Sequence, residues 1–209
     1  YSKAHISPVK FGYTDVADYP EFDPGKAQKL LAEAGFPKGQ GLPELTYYTS
    51  VGFYPKTKEY AELITGMLQE QGFKVNLQKV THDIGYTKFC STPSNAPEVC
   101  PNVGWLKDFS DAQTFLDPTF NGENILQTGN SNWSQLNDKA LNKMMDDAKL
   151  VTDPDARAKA WGEIDKMITA QAPAVPFIWD NTNLIHSKNV NAVGNAYMNS
   201  FDLAFSSIK

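Results

Sequence analysis

Between residues 44 and 81, two segments typical of strands flank one amphipathic segment. ELTYYTS from Glu44 favours a strand, because Thr and Tyr suit the pleated surface of a sheet. PKTKEYAELITGMLQEQG follows and ends at Gly72. Its apolar residues share one helical face: Tyr60, Leu63, Ile64, Met67 and Leu68. In FKVNLQKVT, which comes next, apolar and polar residues alternate nearly as they do in a half-buried strand. Strand, helix and strand in this order predict a parallel unit with a right-handed crossover, and hence an α/β protein.

Asp-Pro pairs mark the starts of two more helices. In FDPGKAQKLLAEAGFPKG, Asp23 suits the N-cap, Pro24 the first helical position and Gly35 the C-terminal stop. The same signature opens DPDARAKAWGEIDKMITAQAP at Asp153, and a further helix is predicted from Asp138 to Leu150. These last two helices are expected to close the body of the fold.

The remaining elements are predicted from shorter signals. A short helix is expected around Tyr86 to Phe89, and VGW from Val103 to Trp105 is interpreted as the next strand of the sheet. AVPFIWDNTNLIHS suggests two short strands around Asp180 and Asn181. The tail from Lys188 to Lys209 is mostly polar and is left unassigned. No internal repeat and no long linker divides the chain.

The composition excludes several classes of function. The net charge of −5 arises from 24 acidic and 19 basic residues, which are spread along the chain without runs. No basic stripe is available to neutralise phosphates, so nucleic acid is not expected as a partner. No apolar run approaches the roughly 18 residues that a membrane span requires. The 209 residues are enough to bury a hydrophobic core.

Cys90 and Cys100 bracket STPSNAPEV, a loop with two prolines. A closely spaced pair around such a loop indicates a disulfide, and hence an oxidising, extracytoplasmic compartment. Closing this loop would stabilise the fold by roughly 3 kcal/mol on the chain-entropy model. Two free buried thiols are the alternative. A zinc site is disfavoured because it needs about four ligands and only His82 lies near the cysteines in sequence.

Six segments, taken in order, carry a resemblance that covers most of residues 18–180. They are YPEFDPGKAQKLLAEAGFPKG, LTYYTS, the helix from Tyr54 to Gly72, GWLKDFSDAQTFL, NWSQLNDKALNKMMDDAKLVTDPDARAKAWGEIDKMI and APAVPFIW. Each segment alone is a weak signal, because Asp-Pro helix starts are common. The ordered set resembles the extracytoplasmic solute-binding proteins of family 5, which are the receptors of ABC importers for oligopeptides, dipeptides, nickel and some other solutes.

This resemblance implies a fold and a domain organisation. The fold would be a type II periplasmic-binding-protein-like lobe, with a mixed, mainly parallel sheet flanked by helices. Family members fold as two lobes that close over the solute, and the segments quoted above are similar to those of the C-terminal lobe. Residues 1–209 are therefore expected to form that single lobe. Tyr1 would lie near the incoming crossover, and residues 180–209 would return toward the N-terminal lobe.

The resemblance also implies a function, partners and a location. The chain would be part of the substrate-binding component of an ABC importer, which binds peptides or a similar small solute and delivers it to the permease subunits. No cofactor and no metal are expected. The protein would be extracytoplasmic, either periplasmic or a cell-surface lipoprotein. Its N-terminal lobe and any membrane anchor would lie outside these residues.

GWLKDFSD carries the candidate site that the resemblance implies. In peptide-binding family members, an Asp three residues after a Trp contacts the free amino terminus of the peptide, and Trp105 and Asp108 match those positions. An ammonium that enters a closed cleft loses water and needs a fixed carboxylate. The indole adds apolar contact and cation–π attraction. The alternative is that Asp108 or Asp111 caps the helix before Phe115, and a cap is favoured for Asp111.

Other polar and aromatic side chains receive weaker interpretations. Asn130 and Asn132 are candidates to line the cleft with amide groups, against the alternative that loop asparagines serve turns. Trp133 and Trp161 are interpreted as core residues, and Phe109 as a packing residue.

Catalysis finds little support in the sequence. His5, His82 and His186 are far apart, and the chain has no GxSxG, HExxH or phosphate-loop motif. The protein is therefore not expected to be an enzyme. Two rival classes stay open: a secreted hydrolase with a dispersed active site, and a scaffold or adhesion module. The first would show turnover, and the second would show a protein partner and no small-molecule cleft.

Overall fold

The computed structural model describes residues 4–6, 19–51, 56–101, 103–178, 183–195 and 200–209. These residues divide into two compact units. One unit comprises residues 4–174, and the other is described from Val175 onward. The first unit contains the elements that the sequence predicts most clearly.

Helix α1 spans Pro24–Glu33 and begins as the sequence predicts. The Asp23 carboxylate accepts a hydrogen bond from the Lys26 backbone N–H at 2.8 Å, which satisfies a donor of the first helical turn. The helix ends before Gly35, whose φ of 89° lies in the left-handed region that glycine tolerates best. Both the predicted N-cap and the predicted stop are confirmed.

The predicted strand–helix–strand unit is also confirmed. Strand β1 (Glu44–Val51), helix α2 (Thr57–Glu70) and strand β2 (Lys74–Thr81) follow one another. The two strands pair in parallel along their full lengths. Tyr47 and Thr49 of β1 are buried while Tyr48 between them is only half-buried, which is the period of two expected where one face of a sheet is covered.

The prediction of a strand at VGW is wrong, because residues 103–107 form none. The neighbour of β1 on its other edge is Val99, which forms an isolated parallel bridge with Tyr47. The Val99 N–H donates to the Thr46 carbonyl oxygen at 3.1 Å. Pairing ends after this bridge because Cys100 is held by a disulfide and Pro101 has no N–H to donate.

Cys90 and Cys100 form the disulfide that the sequence predicts, with their Cα atoms 5.8 Å apart. Cys90 is the last residue of a π-helical turn, Ile84–Cys90, which includes the predicted short helix. Next to Val99, Glu98 accepts a hydrogen bond from the Thr46 N–H at 2.6 Å. This backbone hydrogen bond holds the pKa of Glu98 below its usual value. The disulfide therefore ties the π-helical turn to a loop that is itself fixed on β1.

We expect alkylation of the denatured, unreduced protein to leave both cysteines unmodified in the intact mass, because the two thiols are joined. After reduction, the same treatment should add two alkyl groups. Two alkylated cysteines before reduction would show that the thiols are free and would contradict the disulfide.

Three helices build the hydrophobic core of the first unit: α3 (Gln113–Phe120), α4 (Lys139–Lys149) and α5 (Pro154–Gln171). Asp153 caps the start of α5, as predicted. Asp138 caps the start of α4, at the predicted boundary of that helix. Trp161 is fully buried, so its core interpretation is confirmed. The core consists of Ile6, Ala112, Leu116, Phe120, Leu141, Met145, Ala148, Trp161, Ile164 and Ile168.

A buried carboxylate on α5 holds residues 4–6 in this core. Asp165 has no exposed surface. It accepts hydrogen bonds from the backbone N–H groups of His5 and Ile6 at 3.1 Å, and its Oδ1 lies 2.8 Å from Nδ1 of the His5 ring. Three donors thus compensate for the loss of water around the carboxylate. Ala4 and Ile6 are fully buried on either side of His5.

The second unit contains two short antiparallel pairs. Val190–Asn191 pairs with Ser207–Ile208, and Gly194–Asn195 pairs with Ser200–Phe201. The strands predicted around Asp180 and Asn181 are not found at residues 174–178 or 183–187. Residues 179–182 themselves lie outside the described residues. Several large apolar side chains of this unit are exposed: Val175, Phe177, Ile178, Ile185, Leu203, Phe205 and Ile208.

Candidate functional site

Trp105 and Asp108 are brought together by one residue of α3, Thr114. The Trp105 Nε1–H donates to the Thr114 carbonyl oxygen at 2.8 Å. The Asp108 backbone N–H donates to Thr114 Oγ1 at 2.7 Å, and the same hydroxyl donates to Asp108 Oδ2 at 3.2 Å. Thr114 is 1% exposed. A buried threonine in the first turn of α3 therefore fixes both the indole and the carboxylate.

No motif in the sequence pointed to Thr114. Its position near a helix start was an available signal, because Ser and Thr at such positions often hydrogen-bond to nearby backbone groups. The sequence does not show that the partners are the two site residues, since Trp105 and Asp108 precede the helix in a segment without regular structure.

The segment that carries Asp108 is exposed and has apolar neighbours. Asp108 is exposed while Trp105 is half-buried. Leu106 is 73% exposed and Phe109 is 43% exposed, so the interpretation of Phe109 as a packing residue is wrong. The segment thus presents a carboxylate and exposed apolar side chains, which suits a charged group that carries an apolar substituent.

Asp111 lies just before α3 and binds both the helix start and Arg157. The N-cap residue itself is Ala112, but Asp111 Oδ1 accepts a hydrogen bond from the N–H of Gln113, the first residue of α3, at 2.8 Å. The Arg157 guanidinium donates from Nε to Asp111 Oδ2 at 2.6 Å and from Nη2 to Asp111 Oδ1 at 3.2 Å. This bidentate ion pair holds the start of α3 more firmly than the hydrogen bond to Gln113 alone would.

The same guanidinium joins α3 to the end of α4. Arg157 Nη1 donates to the carbonyl oxygens of Ala148 and Lys149, both at 2.9 Å. These carbonyls belong to the last turn of α4, where helical partners are missing. The role of Arg157 could not be predicted from the sequence, because it lies 46 positions from Asp111 and no local pattern connects the two residues.

Asn130 and Asn132 lie inside the unit. They are 1% and 0% exposed. Asn130 Nδ2 donates to the Asn132 carbonyl oxygen at 2.6 Å, and its Oδ1 accepts from the Leu126 N–H at 3.2 Å. Asn132 Nδ2 donates to the Leu136 carbonyl oxygen at 2.8 Å. These amides organise a turn, and their contact with a solute stays a prediction.

Trp133 is half-buried and lies outside the hydrophobic core, so its core interpretation is wrong. Its Nε1–H donates to Ser91 Oγ at 3.2 Å. Its ring meets the Trp105 ring edge to face, with 6.1 Å between centroids. Trp133 therefore belongs to the surroundings of the candidate site.

Groups that could hold a metal are not found in the described ranges, since no three His, Cys, Asp or Glu side chains come together there. Within the same residues, no helix is long and apolar enough to cross a membrane. The site consists instead of one carboxylate, its hydrogen-bonded aromatic neighbour and the buried threonine that holds both.

The chain matches the family model described as bacterial extracellular solute-binding proteins, family 5 Middle, over residues 2–127. The chain belongs to this family. It is 30% identical over 176 residues to heme-binding protein A of Haemophilus influenzae, which covers 84% of this chain and 31% of that protein. It is 25% identical over 187 residues to a dipeptide-binding protein of Pseudomonas aeruginosa, covering 89% of this chain and 34% of that protein.

This family 5 chain spans about a third of the length of these curated relatives. Its structure is similar to that of clavulanic acid biosynthesis oligopeptide binding protein 2, with a TM-score of 0.86 and 22% sequence identity. The match covers 99% of this chain and 38% of that one. The predicted α/β fold of the type II periplasmic-binding-protein class is thereby confirmed. The family is one of solute-binding proteins that work outside the cytoplasm.

Proposed function

We propose that this chain is the C-terminal lobe of a solute receptor that serves an ABC importer. The lobe would bind a peptide or a similar small solute outside the membrane, and an N-terminal lobe would close over it. Support comes from the length of the relatives, because the chain covers only about a third of each of them, as one lobe of a larger receptor would. The exposed apolar side chains from Val175 onward also suit a segment that returns toward another lobe, because such side chains would be buried there.

The observation that carries this proposal is the Thr114-held pair of Trp105 and Asp108. The carboxylate is exposed, but the Thr114 hydroxyl holds it through one hydrogen bond to Oδ2 and holds the Asp108 backbone N–H through another. A carboxylate held in this way is suited to a ligand ammonium, since little side-chain freedom is lost on binding. The solute would therefore carry a free amino group, as the amino terminus of a peptide does, and this group would bind to Asp108.

Location and further partners follow from the same proposal. The Cys90–Cys100 disulfide suits an oxidising compartment, such as the periplasm or the cell surface. The complete receptor would deliver its solute to permease subunits, and any attachment to the membrane would be through a lipid anchor outside these residues. Neither a cofactor nor a catalytic metal is part of this function.

Two rival functions are tested by direct observation of the complete receptor. The relatives include proteins named for haem and for dipeptides, so the solute that co-purifies should be identified by mass spectrometry after denaturation. Bound peptides would favour the proposal. Bound haem would contradict the proposed contact between a ligand ammonium and Asp108. Peptide turnover that one acid or histidine controls would show a hydrolase. A protein partner with no bound solute would show a scaffold.

Asp108→Asn in the complete receptor should weaken peptide binding roughly ten- to a hundredfold, because a charge-assisted hydrogen bond contributes about 1.5–3 kcal/mol. N-terminally acetylated peptides should already bind poorly to the wild type and should lose little more in the variant. Calorimetry measures the affinities, and thermal unfolding of the same samples measures stability.

Asp155→Asn is a matched control, because it removes the same charge from an exposed position in the first turn of α5. It should bind peptides as the wild type does. If Asp108→Asn unfolds at a lower temperature but binds normally, Asp108 supports the segment structurally and the proposed ammonium site is refuted.

A further inference from the structure

Four aromatic side chains form a continuous row that starts beside Asp108. We call His82, Tyr86, Trp133 and Trp105 the aromatic row. Its successive ring centroids are 5.7 Å apart from His82 to Tyr86, 5.7 Å from Tyr86 to Trp133 and 6.1 Å from Trp133 to Trp105. The last two contacts are edge to face, which is a favourable geometry for aromatic rings. The row is linked to the carboxylate at its Trp105 end, because Thr114 is hydrogen-bonded to both Trp105 and Asp108.

The aromatic row is separate from the hydrophobic core. None of its residues belongs to the buried cluster around α3, α4 and α5. All four side chains are half-buried, so each keeps part of its surface in contact with solvent. A run of large rings that is neither buried nor scattered is unusual on a protein surface and suggests a contact with another molecule.

The aromatic row is held in place by covalent and hydrogen-bonded links. Tyr86 belongs to the π-helical turn that ends at the disulfide, and π-helical turns occur often at functional sites. The indole N–H of Trp133 is bound by Ser91, and that of Trp105 is bound by Thr114. Because both N–H groups are used inside the unit, the two indoles offer apolar faces and edges to a ligand.

The chemistry of the aromatic row selects a class of ligand group. Burial raises the pKa of the Tyr86 phenol, so that side chain is neutral at ordinary pH. The cavity between Tyr86, His82 and Tyr48 measures only about 10 Å³, which is room for about one water molecule. A ligand group would thus lie against the rings instead of entering a pocket, and a flat apolar group gains most from that contact.

We propose that the aromatic row is a second subsite, which stacks an aromatic side chain of a peptide whose ammonium is held at Asp108. This inference rests on the proposed function and adds to it a preference for peptides that carry an aromatic side chain. Trp105 is shared by both subsites, because it is hydrogen-bonded to the residue that holds Asp108 and it contacts Trp133. Peptides with Phe, Tyr or Trp close to the amino terminus would be favoured.

The test measures the affinities of Ala-Phe-Ala and Ala-Ala-Ala for the complete receptor by calorimetry. The wild type should prefer the Phe peptide roughly three- to tenfold, which is the gain expected from one aromatic contact. Tyr86→Leu should remove most of this preference, and Tyr86→Phe, which restores a ring, should recover it. The ratio of the two affinities is used because a general loss of stability would not change it selectively.

Phe89→Leu is the matched control, because Phe89 stacks on Tyr48 outside the aromatic row, with 4.3 Å between centroids. This variant should keep the preference for the Phe peptide. A wild type that binds both peptides equally would overturn the second subsite while leaving the ammonium site standing. Equal loss of both peptides in Tyr86→Leu would also overturn it. If neither peptide binds the wild type, the proposed function fails and the second subsite fails with it.

Discussion

The 209-residue chain alone should bind a peptide about a thousandfold more weakly than the complete receptor. If the proposed lobe supplies half of a closed cleft, it can make only about half of the contacts. A complete receptor with a Kd of about 1 μM has a binding free energy of about −8.2 kcal/mol, and half of that corresponds to about 1 mM. Closure also excludes water from the charged contact at Asp108, and this contribution is lost as well.

Calorimetry with the same free-amino peptide on both proteins measures this difference. Circular dichroism and a cooperative thermal transition must first show that the isolated chain is folded, since an unfolded lobe would also bind weakly. Affinities within tenfold of each other would mean that the chain is a self-sufficient binder, and the proposed two-lobe organisation would be wrong.

Asp165→Ala should lower the free energy of unfolding of the chain by about 3 kcal/mol or more. The carboxylate is fully buried and accepts from the N–H groups of His5 and Ile6 and from the His5 ring. Its removal leaves these three donors without their acceptor, and each buried unsatisfied group costs about 1–3 kcal/mol. Part of this cost would be relieved if residues 4–6 left the core, which would in turn expose Ile6.

Urea unfolding measures the loss, and Glu163→Ala on the same helix is the control. Glu163 forms an exposed ion pair with Lys166, and exposed pairs of this kind contribute about 0–1 kcal/mol. Amide hydrogen exchange at His5 and Ile6 should also become faster in Asp165→Ala and stay unchanged in the control. An Asp165→Ala protein as stable as the control would show that the segment is held by its apolar side chains alone.

Much of the fold could be predicted because its signals are local. Asp23 caps α1, and the segments on either side of α2 form a parallel pair of strands, both as predicted. Helix caps and strand periodicity depend on residues that are close in sequence, so they can be recognised without the tertiary structure. The strand at VGW failed for a different reason. Val103 and Trp105 alternate as strand residues do, but the disulfide and Pro101 end the pairing with β1 at Val99.

The candidate site was predicted only in part. The resemblance to family 5 pointed to Trp105 and Asp108. Asp111 was interpreted separately as a helix cap, and its carboxylate does accept a hydrogen bond at the start of α3. What holds the site was not visible. Thr114 acts through a hydroxyl and a carbonyl, and Arg157 reaches Asp111 across 46 residues. Such partners become neighbours only when helices pack, since side-chain hydrogen bonds between distant segments have no sequence period.

The sequence by itself determined the α/β class, the starts of α1 and α5 and the family, because each follows from local patterns or from the order of segments along the chain. It also favoured the disulfide over two free thiols. Only the tertiary structure decided which polar side chains are buried and which are exposed. It placed Asn132 inside the unit and Asp108 at its surface, although both residues lie in segments of similar polarity. It also brought Tyr86 and Trp133 into contact. Burial is the sum of many contacts between distant segments, and therefore no single stretch of sequence determines it.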